Sequence, residues 1–154
     1  MIIYIGIVVL LLVSDLVVKY LIATNISIGQ SNSIIDGLLY ITHIKNTGAA
    51  WGILKDGRWF FVVITVLLFV FLIYFFKREK NTVIRTALAI IMGGALGNFV
   101  ERLIFGEVTD FIGVYIFSYE FPIFNIADIS VVCGTILLGF YIIFLDKGRE
   151  NDRK

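Results

Sequence analysis

The chain has 154 residues, 59% of them apolar, a formal net charge of +1 and a mean hydropathy of +0.95. Soluble domains carry about 45–50% apolar residues, so this composition is that of a membrane protein. A near-neutral charge with no basic stripe excludes an electrostatic nucleic-acid binder, and the length allows one domain, 1–154.

In chain order, four apolar runs are each long enough to cross a hydrocarbon core of about 30 Å: 2–22, 59–76, 86–105 and 126–145. The first lacks a basic leader and carries Asp15 and Lys19 where a cleavage site would need small residues, so it is expected to be a retained helix. The following loop, 23–58, contains LLYITHIKN (38–46), whose β-branched and aromatic content predicts a strand. Between the second and third runs lies KREKNTVIR, with Lys77, Arg78, Lys80 and Arg85. A second loop, 106–125, has no Lys or Arg, and the tail after the fourth run has Lys147, Arg149, Arg153 and Lys154. The two basic segments hold eight of the 13 Lys and Arg residues. The positive-inside bias therefore places both termini and the KREKN turn in the cytoplasm and both long loops outside. The expected fold is an all-α membrane protein, a four-helix transmembrane bundle with a small extracytoplasmic β-rich cradle.

Ionisable groups in hydrocarbon cost at least about 2.5–3.5 kcal/mol, so the acids in these apolar segments need a reason. Asp15 and Lys19 stand four apart on one helix face, which by itself describes an ion pair with the lysine snorkelling outward. Gly94, Asn98, Glu101 and Arg102 form one stripe of the third run, and Gly93 and Gly97 make a GxxxG that lets another helix approach. Asn125 and Asp128 have the spacing of an N-cap and its N3 acid, a role that needs no chemistry. Asp110 sits in VTDFIGV, read as an apolar loop with an interfacial acid. With the derived topology these residues, together with Asn46 and Gly48 of NTGAAW (46–51), converge on the outer leaflet.

Two neighbouring carboxylates share a proton, as aspartic proteases require, and Asp110 and Asp128 are the best candidates. The helix N-terminus makes Asp128 the easier of the two to ionise. His43 is the only histidine and is read as a surface group, which leaves zinc chemistry and His-assisted nucleophiles without a basis. Ser14 beside Lys19 is thin support for a Ser–Lys dyad, and the single Cys133 permits no internal disulfide.

The ordered blocks SDLVVK (14–19), NTGAAW, GGALGNFVER (93–102), VTDFI (108–112) and FNIADI (124–129) resemble the bacterial lipoprotein signal peptidases over essentially the whole chain. The resemblance implies an intramembrane aspartic endopeptidase that cleaves prolipoproteins just before a diacylglyceryl-modified lipobox cysteine. It implies Asp110 and Asp128 as catalytic, with Asp15, Lys19, Asn46, Gly48, Asn98, Glu101, Arg102 and Asn125 supporting them or contacting substrate. No metal or cofactor is expected, and the partners are lipidated prolipoproteins and membrane lipids, with the enzyme a monomer. Glu101 stands where the family more often has Asp, and Trp51 where Phe is usual. A cation-coupled transporter and a scaffold using the GxxxG face are the competing readings. The absence of Asp, Glu, Lys and Arg from the inner halves of the four expected spans weighs against the first.

Overall fold

The computed structural model describes residues 1–48, 54–117 and 119–145; Ala49, Ala50 and Trp51 of NTGAAW and the basic tail lie outside them. Among the described residues, four helices are long and apolar enough to cross a membrane: α1 Ile2–Asn25, α2 Arg58–Arg78, α3 Thr82–Phe105, and α4 Ile126–Phe140, which a π-helical turn, Tyr141–Leu145, extends. Their surfaces are inverted relative to a soluble bundle. In α1 the buried residues are Asp15 and Lys19, while Ile2 and Leu10 are 86% and 66% exposed. Apolar side chains facing outward and charges facing inward suit lipid as the solvent.

Helix α3 is the centre of the bundle. Half of its most apolar stretch is buried, against 11% for α1 and α4 and 17% for α2, and it packs on all three. Small residues allow this. A Cβ at Gly93 would meet Leu11 Cβ of α1 at 3.0 Å, and one at Gly94 would lie 2.5 Å from the Ala127 carbonyl oxygen of α4. At Gly97 it would lie 2.4 Å from Asp15 Oδ2. The GxxxG face is thus occupied within the chain, and the scaffold reading loses its surface.

A four-stranded antiparallel sheet, ordered β1 Ser31–Ile35, β2 Leu39–Asn46, β3 Val108–Ile116, β4 Tyr119–Glu120, joins the two long loops. The pairing of β2 with β3 sets Ile44 opposite Asp110 and Asn46 opposite Val108, so residues 64 apart in sequence meet at one end of the sheet.

Three expectations need correction. VTDFIGV is not a loop but the first part of β3, in which Val108 to Phe111 are all buried, so no polar alternation marked it. His43 is not at the surface: it is 3% exposed with Nδ1 2.8 Å from the Ile26 carbonyl oxygen. A bulge between Ile41 and Ile44 puts Thr42 and His43 both inside, breaking the two-residue period. The third helix begins at Thr82 rather than 86, because the Asn81 side chain accepts hydrogen bonds from the Val83 and Ile84 N–H groups. Arg85 consequently lies inside a helix, not in the connecting turn.

Close packing at Gly94 generates a stability prediction. Gly94→Ala drives a methyl group against the backbone of α4 and is expected to cost about 1–3 kcal/mol, as overpacking does. Gly6→Ala, where nothing lies within 4 Å, is expected to be neutral or slightly stabilising. Thermal unfolding of the two purified variants in detergent measures the difference.

Candidate active site

The site grows from the N-terminus of α4. Asn125 caps this helix by accepting from the Asp128 N–H at 3.0 Å, and Asp128 Oδ2 accepts in return from the Asn125 N–H at 3.2 Å. This reciprocal box satisfies two free helix donors. A third is satisfied from another helix, since Asp15 Oδ1 of α1 accepts from the Ala127 N–H at 2.8 Å. The sequence spacing showed the first contact and could not show the second, which spans 112 residues.

Capping does not exhaust Asn125. Its Nδ2 donates to Asp110 Oδ1 at 2.6 Å and to Asn98 Oδ1 at 3.1 Å. The other Asp110 oxygen accepts from Asn46 Nδ2 at 2.8 Å, and Asp128 Oδ1 accepts from Asn98 Nδ2 at 2.7 Å. All four carboxyl oxygens therefore receive an N–H from a neighbour, and Asn125 touches both acids.

The three asparagines hold their orientation because each amide oxygen faces a group that can only donate. Asn46 Oδ1 accepts from the Gly48 N–H at 2.9 Å, and Asn125 Oδ1 from the Asp128 N–H. Asn98 Oδ1 accepts from Lys19 Nζ at 2.8 Å. Turning any of these amides over would oppose two donors, so their NH₂ groups point at the carboxylates.

Behind Asn98 lies the charged support. Lys19, 2% exposed, also forms ion pairs with Asp15 Oδ2 at 2.7 Å and Glu101 Oε2 at 3.1 Å, so three oxygens surround its ammonium. Lys19 does not snorkel. Glu101 also accepts from the Thr109 N–H at 2.9 Å and the Thr109 hydroxyl at 2.8 Å, clamping β3 to α3 one residue before Asp110. Thr109 is a site residue that sequence reasoning missed. No motif singles out a threonine, and only the strand pairing brings it to Glu101. Arg102 lies on the other side, its Nη2 donating to the Gly48 carbonyl at 3.0 Å and its guanidinium 4.7 Å from the Phe61 ring.

Asn46, Asn98, Arg102, Asp110 and Asp128 line one cavity of about 200 Å³, walled by Val108 and the stretch from Phe121 to Phe124. Asp110 is 4% exposed, and burial raises its carboxyl pKa to about 6. The hydrogen bond from Asn46 opposes the shift, the Asp128 charge adds to it, and Asn125 and Lys19 pull it back. Two carboxyl groups in a half-apolar cavity, one raised toward neutrality, can hold one proton between them and polarise a bound water or carbonyl. The expected site residues thus assemble into one connected network. Of them, Asp15, Lys19, Glu101 and Asn125 stand behind the cavity lining, and Gly48 meets the site through its backbone.

Comparison with known proteins agrees with this geometry. Residues 7–144 match the family described as signal peptidase (SPase) II. A lipoprotein signal peptidase of Staphylococcus aureus (strain JH9) is 45% identical over 148 residues, covering 95% of this chain and 89% of that protein. Two solved structures, each described as a bacterial membrane enzyme, superpose with TM-scores of 0.87 and 0.84 at 43% and 44% identity. The first covers 95% of this chain and 90% of its own, the second 92% and 93%. With a family match over most of its length and a relative this similar, the chain belongs to the signal peptidase II family of membrane peptidases.

Proposed function

We propose that this protein is an intramembrane aspartic endopeptidase that cleaves prolipoproteins just before the diacylglyceryl-modified cysteine of the lipobox. The observation that carries the reading is that Asp110 and Asp128 line one cavity and are joined through Asn125, whose side-chain Nδ2 donates to Asp110 and whose backbone N–H donates to Asp128. The substrate comes from the family and from the name of the Staphylococcus relative.

In this mechanism the pair holds one proton. Asp128, in the first turn of α4, is the anion, because the helix N-terminus favours negative charge there. Asp110, whose carboxyl is raised to about 6, carries the proton and donates it as a hydrogen bond to the scissile carbonyl oxygen. Asp128 takes a proton from a cavity water as its oxygen attacks the carbonyl carbon. The tetrahedral intermediate collapses when the amide nitrogen receives a proton from the pair, and the C–N bond breaks. Arg102 and the amides of Asn46 and Asn98 supply positive potential around the developing oxyanion.

The termini are cytoplasmic and the sheet extracytoplasmic in this reading, which the Lys and Arg asymmetry supports. The acyl chains of the substrate enter sideways between helices and set the depth of the scissile bond, each buried CH₂ contributing about 0.8 kcal/mol. The enzyme works as a monomer.

Asp110→Asn and Asp128→Asn each keep side-chain size but cannot cycle a proton. Each is expected to abolish cleavage of a diacylglyceryl lipobox peptide while the protein still folds, and a chelator is expected to have no effect. Residual cleavage by either folded variant, or inhibition by chelation, contradicts the aspartic route.

The pH dependence has a definite sign. A carboxyl whose pKa is raised keeps its proton to higher pH, so kcat/KM is expected to decline as pH rises through about 6, where free Asp110 loses its proton. It declines again at low pH as the second carboxyl is protonated. Bound substrate dries the cavity further, so the alkaline limb of kcat should lie above that of kcat/KM. A rate that climbs steadily through this range rules out a required protonated carboxyl.

Truncating Glu101 tests the support. Glu101→Ala leaves Lys19 and both Thr109 donors without this carboxylate, and is expected to lower kcat by about 10-fold or more with little change in KM, since a displacement of about 1 Å in catalytic groups has such effects. Steady-state kinetics with the same peptide measures it.

A further inference from the structure

At the opposite end of the bundle from the catalytic cavity, α1, α2 and α3 meet around one cation. Arg85, in the first turn of α3, places its guanidinium carbon 4.8 Å from the Tyr4 ring of α1 and 4.5 Å from the Phe76 ring of α2. The two rings stand edge to face, 5.2 Å apart. They brace the guanidinium through cation–π contact, an interaction that leaves its in-plane N–H donors unused.

Those donors find no acceptor within the described residues. Arg85 Nε is buried without a hydrogen-bond partner, and no described carboxylate forms an ion pair with this side chain. Glu79, the acid of the adjoining turn, turns Oε1 to the Lys80 and Asn81 N–H groups at 2.7 Å each. Lys77, Arg78 and Lys80 add three more positive charges to the same end. The position is also unfavourable for a cation, because the N-terminus of α3 already carries the positive end of the helix dipole. The side chain is half-buried, and leaving its buried Nε–H without an acceptor costs free energy that a bound anion offsets.

We propose that Arg85 organises a binding site for the headgroup phosphate of an anionic phospholipid at the α2–α3 turn. The depth argues for a lipid, since the acceptors available at the end of a membrane-spanning helix are the phosphates of the adjacent leaflet. The surplus of positive charge argues for a headgroup that is net negative over a zwitterionic one. The braced, planar fork takes two phosphate oxygens side by side, a geometry that a lysine cannot reproduce. The rings of Tyr4 and Phe76 flank the glycerol end, and the bound lipid ties the three helices together.

Native mass spectrometry of the purified full chain in detergent micelles tests this with phosphatidylglycerol, phosphatidylcholine and glycerol 3-phosphate as probes. Phosphatidylglycerol is expected to bind at least about 10-fold more tightly than phosphatidylcholine, the preference a charge-assisted bidentate contact provides. Arg85→Lys keeps the charge and the ring contact, and is expected to lose most of that preference while unfolding at the same temperature as the wild type in phosphatidylcholine. Lys80→Gln is expected to change it by less than about twofold, because a solvated lysine contributes only diffuse attraction. Equal binding of the two lipids by the wild type overturns the proposal, as does an unchanged preference in Arg85→Lys. A loss in Lys80→Gln as large as that in Arg85→Lys assigns the effect to diffuse charge and overturns it too. Glycerol 3-phosphate binding as tightly as the lipid would contradict a membrane ligand.

Discussion

The buried ammonium of Lys19 is the interaction on which the rest of the site depends. A charge with 2% exposure inside a membrane-spanning bundle is tolerable only when it is paired, and here it pairs with Asp15 and Glu101 and donates to Asn98. Each acceptor passes the constraint on. Asp15 fixes the first turn of α4 through the Ala127 N–H, Glu101 fixes β3 through Thr109, and Asn98 turns its amide toward Asp128. One ammonium group thereby positions both Asp110 and Asp128, though it touches neither.

This dependence explains why so small a protein keeps many polar groups where hydrocarbon penalises them. A carboxyl group that must hold a proton near neutral pH needs burial, and burial in turn needs amide donors so that the anionic state remains accessible. Asn46, Asn98 and Asn125 supply those donors without adding charge. Their own orientations are fixed by two backbone N–H groups and by Lys19, so their NH₂ groups are held toward the two carboxyls.

Much of this was legible in the sequence because lipid makes polar residues conspicuous. Asp15, Lys19, Asn98 and Arg102 stand out against apolar runs whose length identifies the four helices, and the Asn125–Asp128 spacing announces a cap. What the sequence concealed lies where local pattern and tertiary pairing part company. Strand β3 is buried on both faces around Asp110, so it carried no alternation, and the bulge that hides His43 shifts the period of β2. Thr109 joins the site only through its pairing with Glu101, and the start of α3 turned on a single capping side chain, Asn81. Such contacts depend on which distant segments meet, and no window of neighbouring residues contains that information.

The central claim is that Asp110 and Asp128 act together on one scissile bond. A crystal structure with a diacylglyceryl lipobox peptide whose scissile amide is replaced by a hydroxyethylene group tests it most directly, because that hydroxyl imitates the tetrahedral intermediate. The account predicts the hydroxyl within hydrogen-bonding distance of both carboxyl groups, with the acyl chains lying between helices toward lipid. A complex in which the hydroxyl reaches only one of the two acids, or sits outside the cavity that they line, contradicts it.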